Sequence, residues 1–154
     1  MDFGITMESP LGPLALYSEG QHLTAIEIGQ RVTGAEPHPL LTNVAEQIQE
    51  YFAGTRQVFD IPLRTTGTAF QESIWEALEE IPYGETLSYG QLGLAIGKPG
   101  SARAVGGAVG ANPIPIVIPC HRVLASDRRL TGYSGGDGIP TKEKLLDLEQ
   151  ISYR

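Results

Sequence analysis

Cysteine is nearly absent from these 154 residues: the chain has one, Cys120, so no internal disulfide can form. Histidine is scarce too, and His22, His38 and His121 are too scattered to offer the ligand spacing of a structural zinc site. Neither crosslinks nor metal are expected, so the fold must be held by its core. Long hydrophobic runs are also missing. The greasiest stretch, Ile114 to Ile118, falls far short of the roughly 20 residues a membrane-spanning helix requires. The opening Met1-Asp2-Phe3-Gly4-Ile5 carries no basic leader ahead of an apolar segment, which reads as a cytoplasmic protein without a membrane partner. Positive charge is the last scarcity. Eleven Lys and Arg stand against eighteen Asp and Glu, a net charge of −7 that on its face disfavours nucleic acid, because phosphate neutralisation supplies most non-specific affinity.

Charge distribution changes that reading. Residues 1–66 hold Arg31, Arg56 and Arg64 against eight acids, whereas residues 86–136 hold Lys98, Arg103, Arg122, Arg128 and Arg129 against Asp127 alone. A basic stretch therefore sits inside an acidic protein, although charge also fluctuates along any chain.

The apolar residues divide the chain in two. Phe3–Met7, Leu14–Tyr17 and Leu23–Ile28 alternate as strands separated by the turns Ser9-Pro10-Leu11-Gly12-Pro13 and Ser18-Glu19-Gly20-Gln21, which predicts an antiparallel meander. Leu40, Leu41, Val44, Ile48, Tyr51 and Phe52 recur at helical spacing, with Gln and Glu on the opposite face and Gly54 as the stop. Residues 1–66 are thus expected to form an α/β domain, with Arg64-Thr65-Thr66-Gly67 as linker. Residues 67–154 read as mainly helical.

Within that second part, Thr68 with Gln71, and Ser88 with Gln91, are capping-box pairs that open helices. Ser101 is placed to cap a further helix running to Ala111, which Asn112-Pro113 halts. Two short helices around Gly97-Lys98-Pro99-Gly100 outline a helix-turn-helix. Its second helix contains Gly106, Gly107 and Gly110, each costing about 1 kcal/mol relative to alanine. Either tight packing on a neighbouring helix or the close approach of DNA could offset that cost.

Next comes Pro113-Ile114-Pro115-Ile116-Val117-Ile118-Pro119-Cys120-His121-Arg122-Val123, a short buried strand delivering a thiol beside an imidazole. A lone cysteine is more often an inert buried hydrophobe than a nucleophile. Neighbours on a regular strand also face opposite ways, but Pro119 makes a regular strand unfavourable at that point.

Taken together, Ile81-Pro82-Tyr83-Gly84-Glu85-Thr86, Ser88-Tyr89, Ala102-Arg103-Ala104-Val105-Gly106, Asn112-Pro113, Pro119-Cys120-His121-Arg122-Val123 and Gly132-Tyr133-Ser134-Gly135-Gly136 form one ordered pattern. It resembles the O6-alkylguanine-DNA alkyltransferases, also called methylated-DNA--protein-cysteine methyltransferases. Ser9-Pro10-Leu11-Gly12-Pro13 and Tyr51-Phe52-Ala53-Gly54 extend the resemblance over nearly the whole chain. It implies a ribonuclease-H-like N-terminal domain of antiparallel sheet plus helix, then a mainly α-helical C-terminal domain with a winged helix-turn-helix. The implied activity is repair without a cofactor: an alkyl group on guanine O6, and on O4 of methylthymine, passes irreversibly to Cys120.

The same resemblance assigns residues. Cys120 would be linked through a water to His121, which Glu143 orients; Asn112 would tie the helix-turn-helix to the active-site loop. Arg103 would fill the space left by the flipped nucleotide, entering from the minor groove of double-stranded DNA, and Tyr89 would crowd the 3′ phosphate. Ala102 and Gly106 would lie along the DNA on the same helix, and Val109, Val123, Tyr133 and Ser134 would line the base pocket. Glu143 also reads as an ordinary first-turn acid favoured by the helix dipole, and Asn112 as a helix stop. The chain is expected to be a monomer, with cooperativity along DNA left open.

Two departures stand out. Gly110 takes a position that is basic in some relatives, and Arg128 takes one that is often glycine; a positive φ there would strain arginine, or Arg128 and Arg129 supply a phosphate or protein contact. Three rival functions remain: a non-catalytic alkylated-DNA-binding protein, a winged-helix regulator and a Cys-His hydrolase. The presence of Cys120 argues against the first. A glycine-rich helix poor in base-reading side chains argues against the second, and a hydrolase has no need of Arg103 and Tyr89.

Overall fold

The computed structural model describes residues 3–154; Met1 and Asp2, part of the N-terminal leader reading, lie outside the described residues. The chain divides into two compact units, Met1–Thr65 and Thr66–Arg154. No helix among the described residues is long and apolar enough to cross a membrane.

In the first unit, β1 (Phe3–Met7), β2 (Leu14–Ser18) and β3 (Leu23–Ile28) form an antiparallel sheet in the order β1-β2-β3. Ile5 pairs with Leu16, and Leu16 with Ile26, so the sheet follows the sequence as a meander. Helix α1 (Pro39–Phe52) covers it with Leu41, Val44, Ile48 and Tyr51, all buried. One polar residue departs from the expected amphipathic pattern. Gln47 is buried, because its amide donates to the Asp60 carbonyl at 3.0 Å and accepts from the Asp60 N–H at 2.8 Å, holding down the segment after the helix.

The second unit opens with α2 (Ala69–Glu79), whose Thr68–Gln71 capping box is formed as the residues imply. The strand β4 (Leu87–Ser88) leads into α3 (Tyr89–Ala95), capped by Ser88 and Gln91, and then α4 (Ala102–Gly110) follows. Ser101 does not cap α4. Its hydroxyl donates backward to the Lys98 carbonyl at 2.5 Å, closing the turn between the two helices instead. Gly93 makes that turn fit, since a Cβ there would stand 2.8 Å from the Ser101 hydroxyl and 2.9 Å from the Lys98 carbonyl. On the other side, buried Trp75 donates its indole N–H to the Ala108 carbonyl at 2.9 Å, fixing α2 against α4.

The stretch before Cys120 is a correction to the expected strand. Residues 113–118 form turns, with Ile116 at φ 76° and the Ile118 N–H donating to the Ile114 carbonyl at 2.9 Å. Pro113, Pro115 and Pro119 lack the N–H groups that a strand ladder requires, so the apolar residues bury themselves without pairing. A 3-10 turn (Cys120–Arg122) follows, then β5 (Val123–Leu124), parallel to β4, and finally α5 (Ile139–Leu148).

Candidate active site

Cys120 lies at the first position of the 3-10 turn, only 6% exposed, and borders a cavity of about 370 Å3. Tyr89, Gly106, Val109, Tyr133 and Ser134 line the same cavity. Small-molecule pockets run from about 300 to 1,000 Å3, so the space suits a single ligand of modest size. The loop on one side is anchored to α4, because the Ser134 hydroxyl donates to the Gly110 carbonyl at 2.8 Å.

Burial pushes the Cys120 thiol above its ordinary pKa. Hydrogen bonding by Asn112 and Tyr133 and the nearby Lys142 cation pull it back down. Asn112 has a second task. Its amide donates to the Ile118 carbonyl at 2.8 Å and its side-chain oxygen accepts from the Ile114 N–H at 2.9 Å, so one residue pins both ends of the turn segment leading to the thiol.

The 3-10 turn breaks the strand alternation that would have sent Cys120 and His121 to opposite faces, and it sends His121 inward to full burial. There Nε2 of His121 lies 2.6 Å from Oε2 of Glu149. Burial holds the imidazole below its usual pKa, against the pull of the Glu149 carboxylate. With Nε2–H directed at that carboxylate, Nδ1 carries the free lone pair. Among the described residues nothing hydrogen-bonds Nδ1.

Glu149 is held in turn by two further partners, and one of these is itself anchored. Arg122 reaches it with Nε at 2.8 Å and Nη2 at 3.1 Å, the Gly84 N–H donates to it at 3.0 Å, and Arg122 Nη1 donates to the Ile81 carbonyl at 2.6 Å. A buried carboxylate shared by an arginine fork, an imidazole and a backbone amide is well compensated for its lost hydration.

A family model described as 6-O-methylguanine DNA methyltransferase, DNA binding domain, matches residues 69–151, and its ribonuclease-like domain counterpart matches residues 4–65. The chain belongs to this family. The methylated-DNA--protein-cysteine methyltransferase of Haemophilus influenzae is 46% identical, over 94% of this chain and 84% of its own length. The constitutive enzyme of that name from Bacillus subtilis is 41% identical over 100% of this chain and 99% of its own. Among solved structures, Mycobacterium tuberculosis OGT in complex with DNA superposes with a TM-score of 0.88 at 46% identity, covering 96% of this chain and 92% of that one.

The methyltransferase fold places the residues singled out from the sequence as follows. Cys120, Tyr89, Gly106, Val109, Tyr133 and Ser134 converge on the cavity. Ala102 and Arg103 lie exposed on α4, outside it. Val123, expected in the pocket lining, is instead fully buried and absent from it, and its carbonyl accepts from Lys142 Nζ at 2.7 Å. Glu143 requires correction. It lies 3.5 Å from the Tyr153 hydroxyl rather than beside His121, because it falls off the buried stripe of α5; the carboxylate on the imidazole is Glu149.

Three buried charges escaped the sequence reading: Arg122, Lys142 and Glu149. Arg122 was counted with the basic stretch, yet its guanidinium is committed to Glu149, which leaves Lys98, Arg103, Arg128 and Arg129 as the exposed cations there. Burial lowers the Lys142 pKa to about 8, and the Cys120 sulfur opposes that shift. A signal for Lys142 and Glu149 existed: with Leu145 and Leu146 they occupy positions i, i+3, i+4 and i+7 of one helical stripe. Charges inside an apolar stripe mark a built polar site.

The glycines of α4 also become interpretable. A Cβ at Gly107 or Gly110 would meet nothing within 4 Å, and one at Gly106 would meet only the Tyr89 ring at 3.8 Å. Packing within the chain therefore does not require these glycines.

Proposed function

We propose that this protein repairs DNA by direct reversal, transferring the alkyl group of O6-alkylguanine irreversibly to Cys120, one lesion per molecule. The carrying observation is a thiol bordering a base-sized cavity, with the next residue, His121, buried against Glu149. The thiol proton passes through a bridging water to His121 Nδ1, and Glu149 stabilises the imidazolium that forms. Sγ bonds to the alkyl carbon, the carbon–O6 bond breaks, and its electron pair stays on the guanine. Guanine regains a proton at N1, so the released proton is returned. A thioether remains on Cys120, and nothing in the site can hydrolyse it. O4-methylthymine offers the same carbon–oxygen bond and is the second substrate.

The lesion oxygen lies inside a duplex, so the nucleotide must rotate out at a cost of a few kcal/mol. Residues 67–154 carry this task, with the protein a monomer acting on double-stranded DNA in the cytoplasm. Arg103, exposed on α4, enters from the minor groove and occupies the vacated stack, while Tyr89 presses on the 3′ phosphate. Ala102 and the glycines of α4 let the helix backbone approach the groove. Val109, Tyr133 and Ser134 form the pocket walls. Asn112 positions the loop.

Intact mass after mixing with an O6-methylguanine duplex tests the proposal. One methyl group is expected on Cys120, none on Cys120→Ala, and no further product once the protein is spent. A thiol left unmodified by the damaged duplex would refute it. Continued turnover would point to a hydrolase instead.

A further inference from the structure

Tyr89 opens α3 and lines the cavity with its ring over Gly106, where even an added Cβ would stand 3.8 Å from the nearest ring carbons. That contact is loose, and it leaves the outer end of the ring to be fixed by something else. The Tyr89 hydroxyl hydrogen-bonds Oγ1 of Thr131, a half-buried residue absent from every motif above.

Thr131 is itself firmly held. Just before it, the Leu130 N–H donates to the Arg154 carbonyl at 3.1 Å and the Arg154 N–H donates to the Arg128 carbonyl at 2.9 Å, pairing this segment with the C-terminal tail. Just after it, Ser134 is tied to the end of α4. Residues 131–134 thus form a strap fastened at both ends, with Tyr89 hitched to its first residue. Threonine suits the role because β-branching restricts χ1 and keeps the hydroxyl aimed.

We propose that Thr131 is a positioning residue that holds Tyr89 rigid in the pocket lining and thereby sets how efficiently the damaged nucleotide is driven out of the duplex. This rests on the nucleotide rotation proposed above. A side chain that presses on a phosphate transmits force only if it cannot swing aside, and a tyrosine without its hydroxyl contact has two free torsions.

Single-turnover methyl or benzyl transfer to Cys120 tests this with two substrates, an O6-methylguanine duplex and free O6-benzylguanine. One hydrogen bond is worth about 1 kcal/mol, so Thr131→Val, which keeps the shape and deletes the hydroxyl, should slow the duplex reaction about fivefold. The free-base reaction should keep its wild-type rate, and Thr131→Ser, which keeps the hydroxyl without the β-branch, should restore most of the duplex rate. Tyr89→Phe breaks the same bond from the other side, so the double variant should be no slower on duplex than Tyr89→Phe alone. Equal slowing of both substrates by Thr131→Val, or additive losses in the double variant, would overturn the role of Thr131. So would a duplex reaction that Thr131→Val leaves at the wild-type rate. Wild-type protein left unmethylated by the duplex would instead overturn the proposed function.

Discussion

Nε2 of His121 lies 2.6 Å from Oε2 of Glu149, with both side chains sealed from solvent. Glu143, inside α5, which Glu149 caps, faces Tyr153 instead. Replacing Glu149 with Gln should slow alkyl transfer by about 100-fold or more, since the imidazolium loses its carboxylate and the imidazole its tautomeric bias. It also strips Arg122 of its counter-charge, at a stability cost of about 3–5 kcal/mol. Glu143→Gln should stay within about twofold of wild type, the range of a half-buried polar change away from the reacting groups. Single-turnover rates and urea unfolding of the two variants decide the assignment; equal losses would show that His121 is not oriented by Glu149.

Much of the fold was legible because local rules agreed with one another. The alternating runs gave the three-stranded meander, and both capping boxes, at Thr68 and at Ser88, formed as their residues imply. Failures came where a tertiary partner overrode a local preference. Ser101 serves the turn rather than the helix end, Gln47 is drawn inward by the Asp60 backbone, and three prolines deny the 113–119 segment the ladder its apolar residues suggest. At the site, Cys120, Tyr89, Gly106, Tyr133 and Ser134 belong to the quoted motifs and Val109 follows one of them, and all six line one cavity. Choosing between Glu143 and Glu149 needed the phase of α5, which the stripe of Lys142, Leu145 and Leu146 carried.

Lys142 couples the site to pH. Its buried ammonium donates to the Val123 carbonyl, and its pKa falls from 10.5 to about 8. A depressed folded-state pKa means that the unfolded chain binds the extra proton between about pH 8 and 10.5, so this group favours folding as pH rises and loses that contribution as pH falls through 8. Relative to Lys142→Met, wild type should gain roughly 2–3 kcal/mol of stability between pH 7 and pH 11. The same substitution removes a cation that pulls the Cys120 thiol downward. The pH profile of iodoacetamide alkylation of Cys120 should therefore move to higher pH in Lys142→Met, and an unmoved profile would remove Lys142 from the electrostatics of the thiol.

Helix α4 should trade stability against DNA affinity. Added methyl groups at Gly107 and Gly110 meet nothing within 4 Å among the described residues, so each Gly→Ala change should stabilise the fold by about 0.5–1 kcal/mol. If the bare backbone exists to approach a groove, Gly107→Ala should melt higher yet bind duplex several-fold more weakly. Thermal unfolding and a duplex titration at fixed salt report the two effects separately. Higher stability with undiminished affinity would mean that this face of α4 does not meet DNA.

Arg128 adopts φ 67°, the left-handed region where a non-glycine residue costs about 1–2 kcal/mol. Its guanidinium offsets the strain by gripping the C-terminal tail: Nε and Nη2 donate to the Ser152 carbonyl at 3.1 and 2.5 Å, and Nη1 to the Thr86 hydroxyl at 3.3 Å. Arg128→Ala keeps the strain and loses the grip, so it should cost about 1 kcal/mol in urea unfolding. Arg128→Gly loses the grip but relieves the strain, so it should stay within about 0.5 kcal/mol of wild type. DNA binding separates this clasp from a direct role at a phosphate. Removing a cation that neutralises one phosphate lowers the slope of log affinity against log salt by about one. A guanidinium already occupied by Ser152 and Thr86 predicts an unchanged slope in Arg128→Gly, whereas a slope reduced by about one would assign Arg128 to the DNA.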